Sequence, residues 1–423
     1  MMKKIFLPLL LIASTVLPLA AQQAAIELSW ADCVREALAN NPGLKAKKMA
    51  IDQYKYLYLA GYNAYLPKIN ISHSVNRSGG DHTTPANKWG LSVSASEPIL
   101  NLGAMSSIRT SKINYDKTFS DYRMESASLR QALYSAFMGL MAAQEQVLVD
   151  KRILDIREQN AKLIKLKYDS GMESRGNMLY AAALYELSKT NAAKSERSLN
   201  MARRELLKNM GASSYRPVTV KGELTAPVYD FKTESVKELL EKTPQVVSQL
   251  KSVEAQKERL LSARYDLFPT LSASQSVSWS GPQEFTVDRS WSMGLSLSLP
   301  LLSGGITYYP NSTKAAKLAF KSAEESLKDL KASLESDILN GYDDFLNSRD
   351  TALSNVSVLA SNEERYKESQ IKYMAGQISF IDLANIEQSM VDARQNQLQY
   401  LRNANNKKLA LENLLGVGLE ERN

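Results

Sequence analysis

Residues 291–302 read W-S-M-G-L-S-L-S-L-P-L-L, and residues 89–100 read W-G-L-S-V-S-A-S-E-P-I-L. In the first stretch Trp291, Met293, Leu295, Leu297 and Leu299 alternate with Ser292, Gly294, Ser296 and Ser298. In the second, Trp89, Leu91, Val93 and Ala95 alternate with Gly90, Ser92, Ser94 and Ser96. A period of two held over about ten residues marks a β-strand whose two faces meet different surroundings. Each stretch follows another of the same kind. Ile69, Ile71, His73 and Val75 oppose Lys68, Asn70, Ser72, Ser74 and Asn76, while Leu271, Ala273, Val277 and Trp279 oppose Thr270, Ser272, Ser274, Ser276 and Ser278. The polar stretches Ser78 to Lys88 and Ser280 to Ser290 are expected to be loops, joining the strands into hairpins over about 67–98 and about 269–300.

The hairpins belong to a duplication. Asn41-Pro42 recurs as Thr243-Pro244, Leu66-Pro67 as Phe268-Pro269, Trp89 as Trp291, and Pro98-Ile99-Leu100 as Pro300-Leu301-Leu302, each at an offset of 202. Tyr168-Asp169-Ser170-Gly171 matches Tyr373-Met374-Ala375-Gly376 at an offset of 205, as Leu206 to Gly211 matches Leu411 to Gly416. A repeat of this length is a whole structural half rather than a solenoid unit. The expected division is a first repeat over 22–211, a linker over 212–233 that holds Pro217 and Pro227, and a second repeat over 234–423.

Outside the strands the pattern is helical. Ser29 and Asp32 fit a capping box opening a short helix that ends near Asn40. Pro42 suits the first turn of a second helix, expected to run to about Tyr65. After each hairpin no proline occurs from Ile99 to Arg216 or from Asn311 to Asn423. Apolar residues recur near heptad spacing at Ile108, Tyr115, Tyr122, Leu129 and Ala136, with a second row at Leu133, Leu140, Val147 and Leu154. The expected result is two helical hairpins, about 103–211 and about 311–416, reversing at Tyr168-Asp169-Ser170-Gly171 and at Tyr373-Met374-Ala375-Gly376. One such helix would be ~100 Å long at ~1.5 Å per residue.

Residues 1–21 have the form of a signal peptide: Lys3 and Lys4, an apolar run from Ile5 to Leu19, then Ala20-Ala21. The formal net charge of +7 is mild for this length, and no basic block is interleaved with aromatics, so nucleic-acid binding is not expected. Cys33 is the single cysteine. It cannot form an intramolecular disulfide, and its neighbours Trp30, Val34 and Ala37 suggest a buried thiol.

Four strands of about ten residues have the length of tilted membrane-spanning strands, yet about eight are needed to close a barrel. An open sheet edge cannot face lipid, because its backbone groups would go unsatisfied. Several chains must therefore pool their strands: two would supply eight, enclosing only side chains, and three would supply twelve, enough for an open lumen, with the serine face toward water and the apolar face toward lipid. Trp89, Trp279 and Trp291 lie beside the polar hairpin stretches, as in an interfacial aromatic girdle. The alternative is a soluble β-sandwich edge with buried tryptophans.

The duplication, the Pro-preceded hairpins, the Pro-Ile-Leu and Pro-Leu-Leu segments that lead into long helices, and the Tyr-x-x-Gly turns resemble the TolC-like outer-membrane efflux family over essentially the whole mature chain. No one motif is specific, but the combination occurs in register twice. The resemblance implies a mixed, mainly α fold: a homotrimer with a twelve-stranded transmembrane β-barrel continued by a periplasmic α-helical coiled-coil tunnel. It implies residence in the outer membrane of a Gram-negative cell, docking to a periplasmic adaptor protein, and coupling to an inner-membrane efflux transporter. The helical turns would form the tunnel's periplasmic mouth, with Tyr168, Ser170, Gly171, Met172, Ala375, Gly376 and Gln377 contacting the adaptor. Tyr373, Asp382, Asn385 and Asn177 match positions at the constricted pore. Asn177 and Asn385 stand where acidic residues occur in other members, and Ile378 replaces a basic residue. Arg175 is a candidate basic partner. Asp382 can also be read as a plain helix N-terminal carboxylate.

With two histidines, His73 and His82, and one cysteine, no imidazole–thiolate metal centre is expected. There is no phosphate-binding Gly-rich loop, and no nucleophilic triad; carboxylates are spread along helical surfaces, which implies solvation. Neither an enzyme nor a cofactor is expected. The function expected is a passive exit duct for small molecules such as drugs. The alternatives are a duct for type I protein secretion and a periplasmic coiled-coil scaffold without a pore.

Overall fold

One element order occurs twice in the structure, a computed structural model that describes residues 26–284, 288–300 and 304–420. The first copy holds β1 (Ile26–Leu28), α1 (Trp30–Asn40), α2 (Pro42–Gly61), β2 (Lys68–Gly80), β3 (Thr83–Leu100), α3 (Leu102–Asp169) and α4 (Arg175–Met210). The second holds β4 (Val218–Val220), α5 (Val236–Lys242), α6 (Pro244–Tyr265), β5 (Thr270–Gly281), β6 (Arg289–Ser298), α7 (Tyr308–Met374) and α8 (Phe380–Leu414). The leader expected over 1–21, the pair Leu301-Leu302 and the chain end at 421–423 lie outside the described residues.

Local chemistry sets the helix starts. Ser29 Oγ accepts from the Asp32 backbone N–H at 3.3 Å, and the Asp32 carboxylate accepts from the Ser29 N–H at 3.2 Å, a closed capping box. Asn41 Oδ1 accepts from the Leu44 N–H at 3.1 Å, with Pro42 in the first turn. The α2 helix ends at Gly61, short of Tyr65, and continues as a single 3-10 turn over Tyr62–Ala64. Among the described residues no helix is long and apolar enough to cross a membrane.

The sheet is β2-β3-β5-β6, antiparallel at every join. The register aligns the alternation across all four strands: Ile71 pairs with Val93, Val93 with Val277, and Val277 with Trp291. On the other face serine meets serine, with hydroxyl pairs Ser72–Ser92 at 2.7 Å, Ser276–Ser292 at 2.9 Å and Ser278–Ser290 at 2.8 Å. The apolar face is uncovered within the chain: Ile69 and Leu295 are each 73% exposed. The stretch Ser78 to Lys88 is not a loop. It is paired strand, with Asn76 opposite Lys88 and Ser78 opposite Ala86, closing in a tight turn between Gly80 and Thr83. Ladder bonds come from the backbone and need no apolar side chain, so the ladder runs on where the alternation stops.

The helical hairpins pack side by side, with α3 against α4, α7 against α8, and α3 against α8. Nearer the sheet, α2 and α6 take the places of α4 and α8, packing on α3 and α7. Around the middle of α3 a core gathers α1, β1, β4 and α4, with Leu133, Leu140, Leu206, Met210 and Val218 fully enclosed. Each such side chain contributes roughly 1.5–3 kcal/mol by leaving water. Trp30, the tryptophan outside the sheet, sits edge-on to Tyr134 at 4.8 Å. Cys33 is enclosed in this core, and burial, then the charges of Asp32 and Glu36, push its thiol up to about 12.

The stretch 212–233 is more than a connector. Val218 to Val220 pairs in parallel with Ile26 to Leu28, with Val218 and Val220 buried. This ladder ties the start of one repeat to the start of the next. Two of the carboxylates expected to be solvated are instead buried. Glu412 on α8 pairs with Arg130 on α3 at 3.2 Å, and Glu387 on α8 pairs with Arg157 on α3 at 3.0 Å. Glu387 also accepts from Asn160 Nδ2 at 2.7 Å, and Arg157 donates to Gln388 at 2.9 Å. A buried charge is tolerated only with a close partner, so these pairs fix how the two helical hairpins lie against each other.

Candidate gate at the helical turns

Both helical hairpins reverse through the same backbone device. The Gly171 N–H donates to Tyr168 O and the Met172 N–H to Lys167 O; likewise the Gly376 N–H donates to Tyr373 O and the Gln377 N–H to Lys372 O. These are Schellman closures, which need a left-handed residue. Gly171 at φ +76° and Gly376 at φ +75° supply it. Met172, Ala375 and Gln377 are exposed at the tips, Ser170 is exposed with its hydroxyl on Leu166 O at 2.9 Å, and Tyr168 is half-buried. Ser174 then caps α4 through the Asn177 N–H at 3.1 Å, and Ser379 caps α8 through the Asp382 N–H at 3.2 Å.

The turns are joined to each other. Tyr373 is buried at 4% exposure, and its hydroxyl donates to Glu173 Oε2 at 3.0 Å. Glu173 Oε1 accepts from Asn177 Nδ2 at 2.7 Å and from the Ser174 N–H at 3.0 Å. The Lys167 ammonium lies 3.9 Å above the Tyr373 ring. Burial works to raise the Glu173 pKa, but the hydrogen bonds from Asn177, Ser174 and Tyr373 and the Lys167 charge outweigh it and hold the carboxyl below its ordinary value. Burial, then the bond to Glu173, pushes the Tyr373 phenol well above its ordinary value. Phe380 meets both Tyr373 and Tyr180 at ring distances of 6.2 and 6.4 Å, within a cluster that includes Ile164, Leu383 and Met390.

The residues singled out in the sequence therefore separate into groups. Tyr373 and Asn177 meet through Glu173. Asp382 is exposed and closes a capping box: its carboxylate accepts from the Ser379 hydroxyl at 2.6 Å and from the Ser379 N–H at 3.2 Å. Asn385 is exposed one turn further along α8, where its carbonyl accepts from Ser389. Arg175 opens α4 and is exposed, and Ile378 is half-buried against the tip cluster. Sequence reasoning missed Glu173 and Lys167. Neither shows a spacing signal, because the contact each makes with Tyr373 spans the two repeats.

The tryptophans take their places by register. Trp89 is level with Val75 and Gly281, Trp279 with Leu91 and Arg289, and Trp291 with Val277. Below the sheet, an open groove of about 1070 Å³ lies between α3, α4 and α8, lined by groups that include Gln146, Asp150, Lys194, Gln399 and Arg402.

A two-sided sheet is thus carried on duplicated helical hairpins whose capped turns are joined to each other. A family model for the outer membrane efflux protein matches residues 33–212 and 235–417, one segment per repeat, and the chain belongs to that family of outer-membrane channels. The alkaline protease secretion protein AprF of Pseudomonas aeruginosa is 23% identical over 310 residues, 68% of this chain and 64% of that protein, so the match spans under two thirds of that relative. The fold matches the crystal structure of CusC at a TM-score of 0.80 and 16% identity, covering 91% of each chain. It matches the open-state outer membrane channel MtrE of Neisseria gonorrhoeae at 0.78 and 18% identity, covering 92% of this chain and 88% of that one.

Proposed function

We propose that three copies of this chain join the β2 edge of one sheet to the β6 edge of the next, closing a twelve-stranded barrel in the outer membrane. The observation that carries this reading is a four-stranded sheet with an uncovered apolar face, a serine-paired opposite face, and two free edges. An isolated sheet of this kind satisfies neither water nor lipid. Because β2 to β6 alternate in direction, joining copies edge to edge keeps the barrel antiparallel throughout. The serines then line water, the apolar residues meet lipid, and Trp89, Trp279 and Trp291 sit at one interface as an aromatic girdle.

The helical hairpins continue the barrel as a periplasmic tunnel of twelve long helices. Its wall includes the groove beside α3, and its far end is the ring of turns. Tyr168, Ser170, Gly171, Met172, Ala375, Gly376 and Gln377 are exposed or half-exposed there for a periplasmic adaptor. Asp382, three times around one axis, makes an acidic ring at the mouth, with Asn385 and Asn177 as its neutral neighbours. The Tyr373–Glu173–Asn177 contact holds the two hairpin tips of each protomer together and favours a closed mouth. The duct is passive: an inner-membrane transporter supplies the energy through the adaptor, and small molecules such as drugs leave through the lumen.

The likeness to AprF, named for alkaline protease secretion, favours a second reading in which the same duct serves protein secretion. Crosslinking from the turns in intact cells, followed by purification, tests both. Capture of an adaptor with a drug transporter, together with drug sensitivity on deletion, supports the first. Capture of a protein-exporting transporter, with loss of a secreted protein on deletion, supports the second. Absence of any inner-membrane partner contradicts both.

A further inference from the structure

The two ends of the sheet's apolar face carry different charge. Alternation places Arg77 on the face of Ile69, Ile71 and Val75, and Arg289 on the face of Trp291, Met293, Leu295 and Leu297. Both arginines are exposed and both lie at the hairpin end. Among the described strand residues the acidic residue on this face is Glu97, at the other end, opposite Ala273.

Register sets the heights of the arginines. Arg77 pairs with Asn87, two residues beyond Trp89, and Trp89 is level with Gly281. Arg289 pairs with Trp279. Arg77 therefore stands four residues further toward the hairpin tips than Arg289, and three strands away. That is about 14 Å along the strands and about 14 Å across them, at ~3.4 Å per residue and ~4.8 Å per strand. The line joining them slopes at about 45°, close to the roughly 35–45° tilt of strands in membrane barrels. In a barrel tilted that way both guanidiniums stand at one level. The tryptophan row, from Trp89 through Trp279 to Trp291, steps in the same direction. Arg289 lies two residues beyond Trp291, which puts the arginine level ~5 Å outside the tryptophan at that tilt.

We propose that Arg77 and Arg289 bind the phosphate groups of anionic lipid headgroups in the leaflet around the hairpin end, six guanidiniums per trimer. This rests on reading the apolar face as lipid-facing. A guanidinium offers paired N–H donors that match two phosphate oxygens. Its stem lies along the apolar face while its head reaches the interface. The tryptophans beneath mark the boundary between hydrocarbon and headgroups, and the nearby Lys88 falls on the serine face by alternation, pointing away from lipid.

The test uses the intact complex in phosphatidylcholine nanodiscs containing either bisphosphorylated lipid A or its dephosphorylated form, with retained lipid counted by native mass spectrometry. The wild type is expected to retain the phosphorylated form about tenfold better. The double variant Arg77→Gln/Arg289→Gln should lose that preference, while Lys88→Gln keeps it. Equal retention of the two lipids by the wild type, or an unchanged preference in the double variant, overturns the proposal. Labelling of Leu295 and Leu297 positions, replaced by cysteine, separates the two failures. If a water-soluble thiol reagent reaches them from outside the barrel, the lipid-facing reading falls and this one falls with it.

Discussion

The Tyr373 hydroxyl donates to the Glu173 carboxylate at 3.0 Å, across 200 residues of sequence and from one repeat to the other. The bond joins the last turn of α7 to the turn between α3 and α4, so neither hairpin tip moves without breaking it or carrying the other. Asn177 holds the second carboxylate oxygen, which leaves Glu173 aimed at its partner.

Removing this contact should loosen the mouth. Tyr373→Phe or Glu173→Gln is expected to cost about 1 kcal/mol of stability per hydrogen bond lost, and to raise conductance in planar bilayers. A variant with unchanged conductance would assign the contact to packing alone. Acid should act in the same direction. The folded pKa of Glu173 lies below its ordinary value of 4.5. Its contribution is therefore full above that value and lost as pH falls through the lowered one. Conductance measured down a pH series should rise at the acid end in the wild type and lose that dependence in Glu173→Gln.

The buried pairs between α3 and α8 should behave as coupled units. Arg157→Met leaves Glu387 buried without its cation and is expected to cost about 3–5 kcal/mol, whereas Arg157→Met with Glu387→Leu recovers most of the loss. Denaturation midpoints of the single and double variants decide it. A double variant no more stable than the single one would contradict the coupling.

Much of this fold is legible in the sequence, for physical reasons that particular residues display. Serine or glycine at every second position of 290–298, against Trp291, Met293, Leu295 and Leu297, admits one reading, a strand with two surroundings. Ser29, three residues before Asp32, announces a helix start that forms as a capping box, and the structure shows the same box at Ser379 and Asp382. What stays hidden depends on distant partners. The strand Val218–Val220 is too short to show a period, and it exists because Ile26–Leu28 lies beside it. Glu387 and Glu412 look like other helical carboxylates until α3 brings Arg157 and Arg130 against them. Glu173 takes its importance from a tyrosine in the other repeat.

The turn glycines should be separable by what surrounds them. A Cβ added at Gly171 or Gly376 meets nothing within 4 Å, whereas one at Gly211 would lie 2.6 Å from the Asn40 backbone. Gly171→Ala and Gly376→Ala are expected to cost about 1–2 kcal/mol from the left-handed backbone alone, and Gly211→Ala substantially more. Bulkier replacements at Gly171 or Gly376 should leave outer-membrane assembly intact while weakening adaptor crosslinking and export. Crosslinks to the adaptor arising only from the barrel hairpins would reverse the orientation assigned here.

Asp382 is a cap in the structure, and the proposed charge ring is a role to separate from it. Asp382→Asn is expected to reduce cation selectivity and block by multivalent cations, because a ring of carboxylates favours cations. Ser379→Ala removes the hydroxyl that caps α8 and should cost ~1 kcal/mol of stability while leaving selectivity alone. Reversal potentials under a salt gradient distinguish them. If Asp382→Asn leaves the reversal potential unchanged, Asp382 belongs to the cap and the charge ring lies elsewhere.

On the proposed function, the sheet is one third of a closed barrel. Single-particle imaging of the complex extracted from membranes tests it most directly. The expected map has three copies around one axis, with the β2 edge of each chain hydrogen-bonded to the β6 edge of the next, twelve strands in a ring around an open lumen, and the serine face inward. A membrane-inserted single copy, or an assembly in which the β2 and β6 edges stay unpaired, would contradict it.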